Sequence, residues 1–434
     1  MLRTVDLRSV EPSGPELRAV LPRPELDVAA AERTARELVA EVRERGEAAL
    51  LEQAERLDGV RPARIRVPAE AIERAVRELD PALRSALERM IERVRLGSAA
   101  QVPPETVTRI DDGGTVTQRW QPVDRVGLYV PGGKAVYPSS VVMNVVPART
   151  AQVRSLAIAS PPQREHDGLP HPTILAAAGL LEVDEVYAMG GAGAIGAFAH
   201  GVPGIGLDPV EVITGPGNVW VAAAKRAVSA LVGIDAEAGP TEILIIADGT
   251  ADPELIAADL VSQAEHDEMA AAVLVCTDAE LAERVERAVR RRAAATPHAE
   301  RASAALGGAQ SAILLAADLA QAARLANAYG AEHLEIHTAD DEAVLARITN
   351  AGAIFLGPCS PVSLGDYLAG SNHVLPTGGQ AARSSGLGAH TFLRAQQIVR
   401  YERDALAAAA DDLLVLARAE ELPAHGEAVT ARTG

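Results

Sequence analysis

The sequence is short of several things, and each shortage removes a class of explanation. Aromatic residues make up 3% of 434 residues, so the cores have to be built from Ala, Val, Leu and Ile. There are two cysteines, Cys276 and Cys359, too few for a disulfide framework and suited to a reducing, cytoplasmic setting. Lysine is nearly missing: of 41 basic residues only Lys134 and Lys225 are not Arg. Both lie beside Gly-rich turns, where an ammonium could meet a phosphate. Positive charge as a whole is in deficit, with a formal net charge of −18. That argues against nucleic acid or an anionic membrane as a partner, since both need a basic surface. No apolar run reaches the length of a membrane span, and Arg3, Asp6 and Arg8 open the chain with no signal-peptide core behind them.

What is present fits a globular chain, 48% apolar and 23% charged. Its length predicts two or three domains. Residues 1–25 carry four prolines and read as an arm. Helical spacing recurs over 27–57 and 68–96, with a break near Pro81. Val107 to Trp120 suggests a hairpin turning at Asp111-Asp112-Gly113-Gly114. The middle third then alternates strand and helix, with strands expected at Val126–Val130, Val153–Ser160, Glu185–Met189 and Val210–Ile213. Gly-rich turns follow at Pro131-Gly132-Gly133, Gly190-Gly191 and Gly215-Pro216-Gly217-Asn218. A second set has strands near Ile243–Ala247, Ala271–Cys276, Ala312–Ala316, Leu334–Thr338 and Ile354–Leu356, with helices between. Strand, turn and helix in repetition are the pattern of a parallel sheet.

The expected fold is therefore α/β, with two incomplete Rossmann-like parallel-sheet domains, the N-terminal arm and a helical C-terminal extension over 381–434. One domain takes residues 26–127 and 243–380, the other 128–242. The tail from Phe392 reads as two helical patterns, Leu393–Leu406 and 407–421. Residues 357–391 read as a long Gly-, Pro- and Ser-rich loop, and loops of that length are usually functional or disordered.

Chemistry concentrates at a few points. Gln263 and His266 end a helical pattern and share one face. A carboxamide oxygen beside an imidazole is half a metal site, because zinc takes at least three protein ligands. Glu332-His333 precedes a strand, and such a pair can act as two bases with separate targets. Asp366, in the long loop, suits a metal ligand or a turn residue equally. His373 shares that loop, and His425 follows a helix end, where a surface role is the plain reading. Each Gly-rich turn offers backbone N–H groups to a phosphate. Tyr129 and Asn218 stand beside two of them, able to contact a nucleotide. Neither cysteine has a local base or dipole to activate it.

As an ordered set, several stretches resemble the histidinol dehydrogenase family. They are Gly127 to Gly133, Gly215 to Asn218 with Ala224-Lys225-Arg226, Ala238 to Glu242, Ser262 to His266, Glu332-His333-Leu334, Gly365 to Thr377, and Ala419-Glu420 with His425. The resemblance runs from about residue 30 to the C-terminus. It implies a zinc-dependent homodimer that oxidises L-histidinol to L-histidine in two NAD-dependent steps through an aldehyde-level intermediate. It implies Gln263, His266, Asp366 and His425 as zinc ligands, and Glu332 and His333 as the acid–base pair. Thr241, Glu420, His333 and the zinc ligands would surround the substrate, and Tyr129 and Asn218 would contact NAD. Glu420 and His425 would complete the partner subunit's site.

Two positions depart from the family pattern. Gly193 stands where Gln is common as a cofactor contact, and Thr241 where Ser is common. Thr241 keeps the hydroxyl. Relatives within the family oxidise other primary alcohols such as sulfonated propanediols, and Glu420 beside the substrate favours histidinol over an anion. A zinc hydrolase with Glu332 activating water is the reading from another class, against which the Gly-rich turns and Tyr129 weigh. A non-catalytic metal-binding relative would not need all six metal and acid–base positions.

Overall fold

The computed structural model describes residues 2–10, 20–24, 28–132, 135–236 and 239–433. Lys134, together with Gly133 and Ala238 of the motifs above, lies outside the described residues. Two parallel sheets organise the chain. The first to form in sequence is five-stranded. It contains β4 (Arg125–Tyr129), β5 (Ser155–Ser160), β6 (Val186–Ala188), β7 (Val212–Thr214) and β8 (Gly233–Ile234), in the order β6-β5-β4-β7-β8. The second is six-stranded and contains β1 (Arg3–Asp6), β9 (Glu242–Ala247), β10 (Ala271–Cys276), β11 (Ala312–Leu315), β12 (His333–His337) and β13 (Ala353–Leu356). Its order is β1-β11-β10-β9-β12-β13. The central strands β9 and β10 are buried along their whole length, which is why they read as unbroken apolar runs rather than alternating ones.

Eight helices precede or cover the five-stranded sheet: α1 (Val28–Arg45), α2 (Glu47–Gln53), α3 (Ala69–Glu78), α4 (Pro81–Ala99), α5 (Pro138–Thr150), α6 (Pro172–Leu180), α7 (Gly191–His200) and α8 (Val219–Val228). The break between α3 and α4 falls where Pro81 predicts it, and Asp80 caps α4 by accepting from the amides of Ala82 and Leu83. Helix α5 had no sequence signal. Nearly all of it is buried, so it lacks the one-sided stripe that marks a surface helix. The six-stranded sheet carries α9 (Pro253–Ala264), α10 (Ala279–Ala295), α11 (Ala299–Gly307), α12 (Leu319–Tyr329), α13 (Asp341–Leu345) and α14 (Val362–Tyr367).

The cores divide the chain differently from the expected domain ranges. Ala31 to Val94 packs with residues 123–232 in two buried clusters around the five-stranded sheet. Residues 243–362 form the other two clusters, joined by Leu2, Leu7 and Leu21. The grouping of 26–127 with 243–380 is therefore not the one the cores make. The N-terminal arm is docked through its described parts: β1 pairs in parallel with β11, Arg3 opposite Ala312.

The hairpin forms as expected, β2 (Thr106–Asp111) against β3 (Gly114–Pro122). The C-terminal tail corrects one expectation. Leu393–Tyr401 is a strand, β14, not helix, paired antiparallel with β3 over nine residue pairs. Leu393, Ile398 and Val399 suit either period, and pairing with a long exposed hairpin decides it. Two helices follow, α15 (Arg403–Ala419) and α16 (Pro423–Thr433). No helix among the described residues is long and apolar enough to cross a membrane.

Candidate active site

The two sheets present opposite ends. Tyr129 closes β4, Gly190 follows β6 and Thr214 closes β7, so the Gly-rich turns line the carboxyl edge of the five-stranded sheet. Glu242 opens β9, His333 opens β12 and Ala264 ends α9, so the titratable cluster lines the amino edge of the six-stranded sheet. In open α/β sheets ligands usually sit at the carboxyl edge. Glu332 precedes β12 and His333 is its first residue, one earlier than the strand expected from Leu334.

At the amino edge the strands hold Thr241 and Glu332 side by side. His333 lies opposite Ile243 in the ladder. Thr241 Oγ1 donates to Glu332 Oε2 at 2.5 Å, and the Glu242 amide donates to the same oxygen at 2.9 Å. Gln263 Nε2 donates to Thr241 Oγ1 at 2.6 Å. This chain fixes the carboxamide so that its nitrogen faces Thr241 and its oxygen is the free end. Glu332 is buried, and burial raises its pKa to about 8 against the two hydrogen bonds that lower it.

His333 is 5% exposed. Its Nδ1 lies 3.3 Å from the Glu242 carbonyl and 3.6 Å from Glu332 Oε2. A carbonyl only accepts, so the Glu242 contact places the proton on Nδ1. Nε2 is then the lone-pair nitrogen, and it is buried without a hydrogen-bond partner. Burial lowers the pKa of His333, with the Asp366 charge opposing. His266 is likewise lowered by burial, with Asp366 opposing and His333 reinforcing. These mutual effects place His266, His333 and Asp366 around one space.

Further residues, not among the expected site residues, belong to this neighbourhood. His373 accepts or donates at Ser140 Oγ, 3.1 Å from its Nε2, while its Nδ1 lies 3.1 Å from the Asp366 carbonyl. Asn372 donates to the Met143 carbonyl at 2.7 Å. Helix α5 of the first sheet thus meets the 366–373 segment of the second. Tyr137, at the start of α5, has its pKa raised by burial, with Asp267 and Asp366 adding and Arg301 opposing. Glu242 is another: its pKa is raised to about 7 by burial, and Arg23 pairs with it at 2.8 Å. Arg23 also stacks 4.0 Å from the Tyr329 ring. His373 had a visible signal, a histidine in the same loop as Asp366. Tyr137 and Ser140 sit on the helix that had none, and Arg23 lies in the arm.

Glu420 and His425 are not brought into this space. Both are exposed, at the junction of α15 and α16. These helices leave Leu413, Val415, Leu416 and Leu422 exposed, and β14 leaves Ile398 and Val399.

At the carboxyl edge, Tyr129 is buried and its hydroxyl accepts from the Gly191 amide at 3.2 Å. Burial pushes its pKa up to about 12. Asn218 is exposed and caps α8, its Oδ1 accepting from the amides of Trp220 and Val221. Lys225 is 1% exposed; its Nζ donates to the Gly215 carbonyl at 2.5 Å and to Asp235 Oδ1 at 2.6 Å. That ammonium is committed to holding the turn and is not free for a phosphate. Gly215 has φ +120°, and a Cβ there would lie 1.9 Å from the Tyr129 carbonyl oxygen, so only glycine lets the turn close on β4.

Gly193 is buried within α7, and a Cβ on it would meet Gln53 Oε1 at 2.3 Å. The Gln53 carboxamide, from α2, occupies the room that a side chain at 193 would need. Its Nε2 donates to the Leu38 carbonyl and to Glu41, both at 3.0 Å, and its Oε1 is buried without a partner.

Comparison with known proteins gives the family. The family model described as histidinol dehydrogenase matches residues 21–433. The chain is 63% identical to histidinol dehydrogenase of Leifsonia xyli subsp. xyli over 431 residues, 99% of each chain. It is 59% identical to that of Thermobifida fusca over 432 residues, 100% of this chain and 98% of the other. Its fold is similar to the crystal structure of histidinol dehydrogenase from Elizabethkingia anophelis, with a TM-score of 0.92 and 30% identity, covering 99% and 98% of the two chains.

Proposed function

The chain belongs to the histidinol dehydrogenase family, and from that premise we propose that it oxidises L-histidinol to L-histidine with two NAD and one zinc per subunit. As a member it is an NAD-dependent oxidoreductase of histidine biosynthesis. The observation that carries the finer reading is the Gln263–Thr241–Glu332 chain beside His333, with its buried lone-pair nitrogen.

The roles follow from those atoms. His333 Nε2, neutral near pH 7 because burial disfavours its charge, takes the hydroxyl proton of the alcohol as hydride leaves for the first NAD. Glu332, in its ionised form, takes a proton from water as that water adds to the aldehyde carbon. His333 gives the proton from the first step to the aldehyde oxygen as water adds, and is then free to take the hydroxyl proton of the hydrate as the second hydride leaves. Thr241 and the Glu242 amide hold Glu332 in place, and Gln263 holds Thr241.

The donor set suits zinc: an amide oxygen freed by the Thr241 contact, an imidazole and a carboxylate. Gln263, His266 and Asp366 would hold it, with His425 of the partner subunit as the fourth ligand. The ion would supply a fixed anchor for the imidazole and amine of histidinol. The exposed apolar residues on β14 and α15 support a homodimer whose tails complete each other's sites, Glu420 included. We assign NAD to the five-stranded sheet, residues 128–242, with Tyr129 and Asn218 at the turns. Gly193 itself offers no side chain there, and the space is filled by Gln53. The two free cysteines support a cytoplasmic location.

The deciding experiment is NAD reduction with histidinol, with and without a chelator. Two NADH per histidinol, lost on chelation and restored by zinc, is the expected result. One NADH per substrate, or chelator-insensitive turnover, would sink this reading.

A further inference from the structure

One turn along α9 from Gln263 lies Asp259, on the same helix face. Opposite it, β12 alternates, so His333, Glu335 and His337 share the face turned toward the same side of the sheet. The helix and strand therefore carry two polar rungs in register. The first holds Gln263 with His333. The second holds Asp259 with Glu335 and His337, whose ligand atoms lie within 4.8 Å of one another, the one such trio of His, Cys, Asp or Glu among the described residues.

The second rung is not a solvated acidic cluster. The Glu335 side chain is 0% exposed and that of His337 5%. Glu335 Oε1 accepts from the Val362 amide at 3.1 Å, which fixes the carboxylate. Its Oε2 then points among the other two groups, 3.3 Å from His337 Nε2, yet has no hydrogen-bond partner. A fully buried carboxylate oxygen without a hydrogen bond is costly. His337, when protonated, opposes that charge from 3.3 Å, while Arg292 is paired with Glu254 at 2.9 Å. Asp259 is only half-buried, which gives an ion a way in.

We propose that Asp259, Glu335 and His337 form a second metal site, for a divalent first-row transition cation of the zinc or cobalt class, separate from the Gln263–His266–Asp366 set. Two carboxylates and one imidazole match that class. Calcium or magnesium would want six or more oxygens and finds two carboxylates. The ion would bond to Glu335 Oε2 and displace the protons that the trio otherwise holds: Asp259 is raised to about 7, chiefly by burial, and His337 is raised by its carboxylate neighbours.

The test is equilibrium dialysis of the full-length, chelator-stripped chain against Co2+, with visible absorption recorded at each step. The wild type is expected to bind one more Co2+ per chain than Glu335→Gln or His337→Gln, while His266→Ala retains one. Asp259→Asn, at the accessible side of the trio, is expected to keep the melting temperature of the stripped wild type and to weaken the second Co2+ at least tenfold. Equal uptake by wild type, Glu335→Gln and His337→Gln would overturn the proposal. So would an His266→Ala chain that binds no Co2+, or an Asp259→Asn chain that binds the second Co2+ with unchanged affinity. Because the first set is lost with His266 and the second with His337, failure of one is read separately from failure of the other.

Discussion

In the proposed reaction the two sheets divide the labour by which end they offer. The five-stranded sheet ends its carboxyl edge in glycine turns with few side chains in the way, the Gly191 amide held by the Tyr129 hydroxyl and the Gly215 amide by Asp235. The six-stranded sheet works through side chains at its amino edge, where Glu332 and His333 are buried and their pKa values displaced. Both edges are held rigid by buried polar contacts, but of different kinds. One turn is clamped by the Lys225–Asp235 pair, whereas the other edge is held by neutral and charged hydrogen bonds converging on Glu332 Oε2. Substitutions at the first edge should therefore register in stability and cofactor affinity, and at the second in rate and pH dependence.

The largest effect is expected from His333→Ala. Loss of a general base costs about 10²–10⁴-fold, and here it should fall on both oxidations, read as NADH formed from histidinol and from supplied aldehyde. Normal aldehyde oxidation would break the assignment of one base to both steps. Next comes a mixing experiment: inactive His266→Ala and His425→Ala dimers, allowed to exchange subunits, should recover about a quarter of wild-type activity, since half the dimers then hold one intact site of two. No recovery after confirmed exchange would place His425 outside the site.

Glu332→Gln should slow aldehyde oxidation more than the first step. With the pKa of Glu332 near 8, the wild-type water-dependent step should rise with pH up to about 8, and the variant should lose that rise. The raised value also makes the folded state the stronger proton binder above the usual 4.5. Stability from this group therefore falls as pH rises from about 4.5 to about 8, a slope that chemical denaturation at several pH values would show and Glu332→Gln would flatten.

At the other edge, Lys225→Met should cost about 3–5 kcal/mol by stranding buried Asp235, measured by denaturation, with kcat changed less than the KM for NAD. A rate loss with normal stability would blur the distinction between the edges. The smallest effect is expected from Gly193→Gln. It restores the commoner family residue yet collides with Gln53, so about 1–3 kcal/mol of stability should be lost and the KM for NAD should not improve. Adding Gln53→Ala should relieve the loss.

Much of this was legible from residues alone because the strands of both sheets are buried on two faces and read as apolar runs: Ala271–Cys276 has the same bounds in sequence and structure. Gln263 and His266 were legible because helical spacing places them together. The acid–base pair and Asp366 were local candidates that only the resemblance lifted above their plain readings, since Glu332 and Thr241 are 91 residues apart and no local pattern records a sheet register. Helix α5 was silent for the opposite reason: it is apolar nearly all round, so Tyr137 and Ser140 had no frame to be placed in. The strand β14 was misjudged because its partner, β3, lies far back in the chain.

The docked N-terminal segment has a consequence for how the molecule is made. Arg23 leaves the ribosome early, but the carboxylate it neutralises, Glu242, follows 219 residues later, and the strand that β1 joins later still. Pairings that span so much chain form slowly. The earliest part of the polypeptide therefore waits longest for its place, and the electrostatic setting of Glu242 is completed only when the oldest residues finally settle.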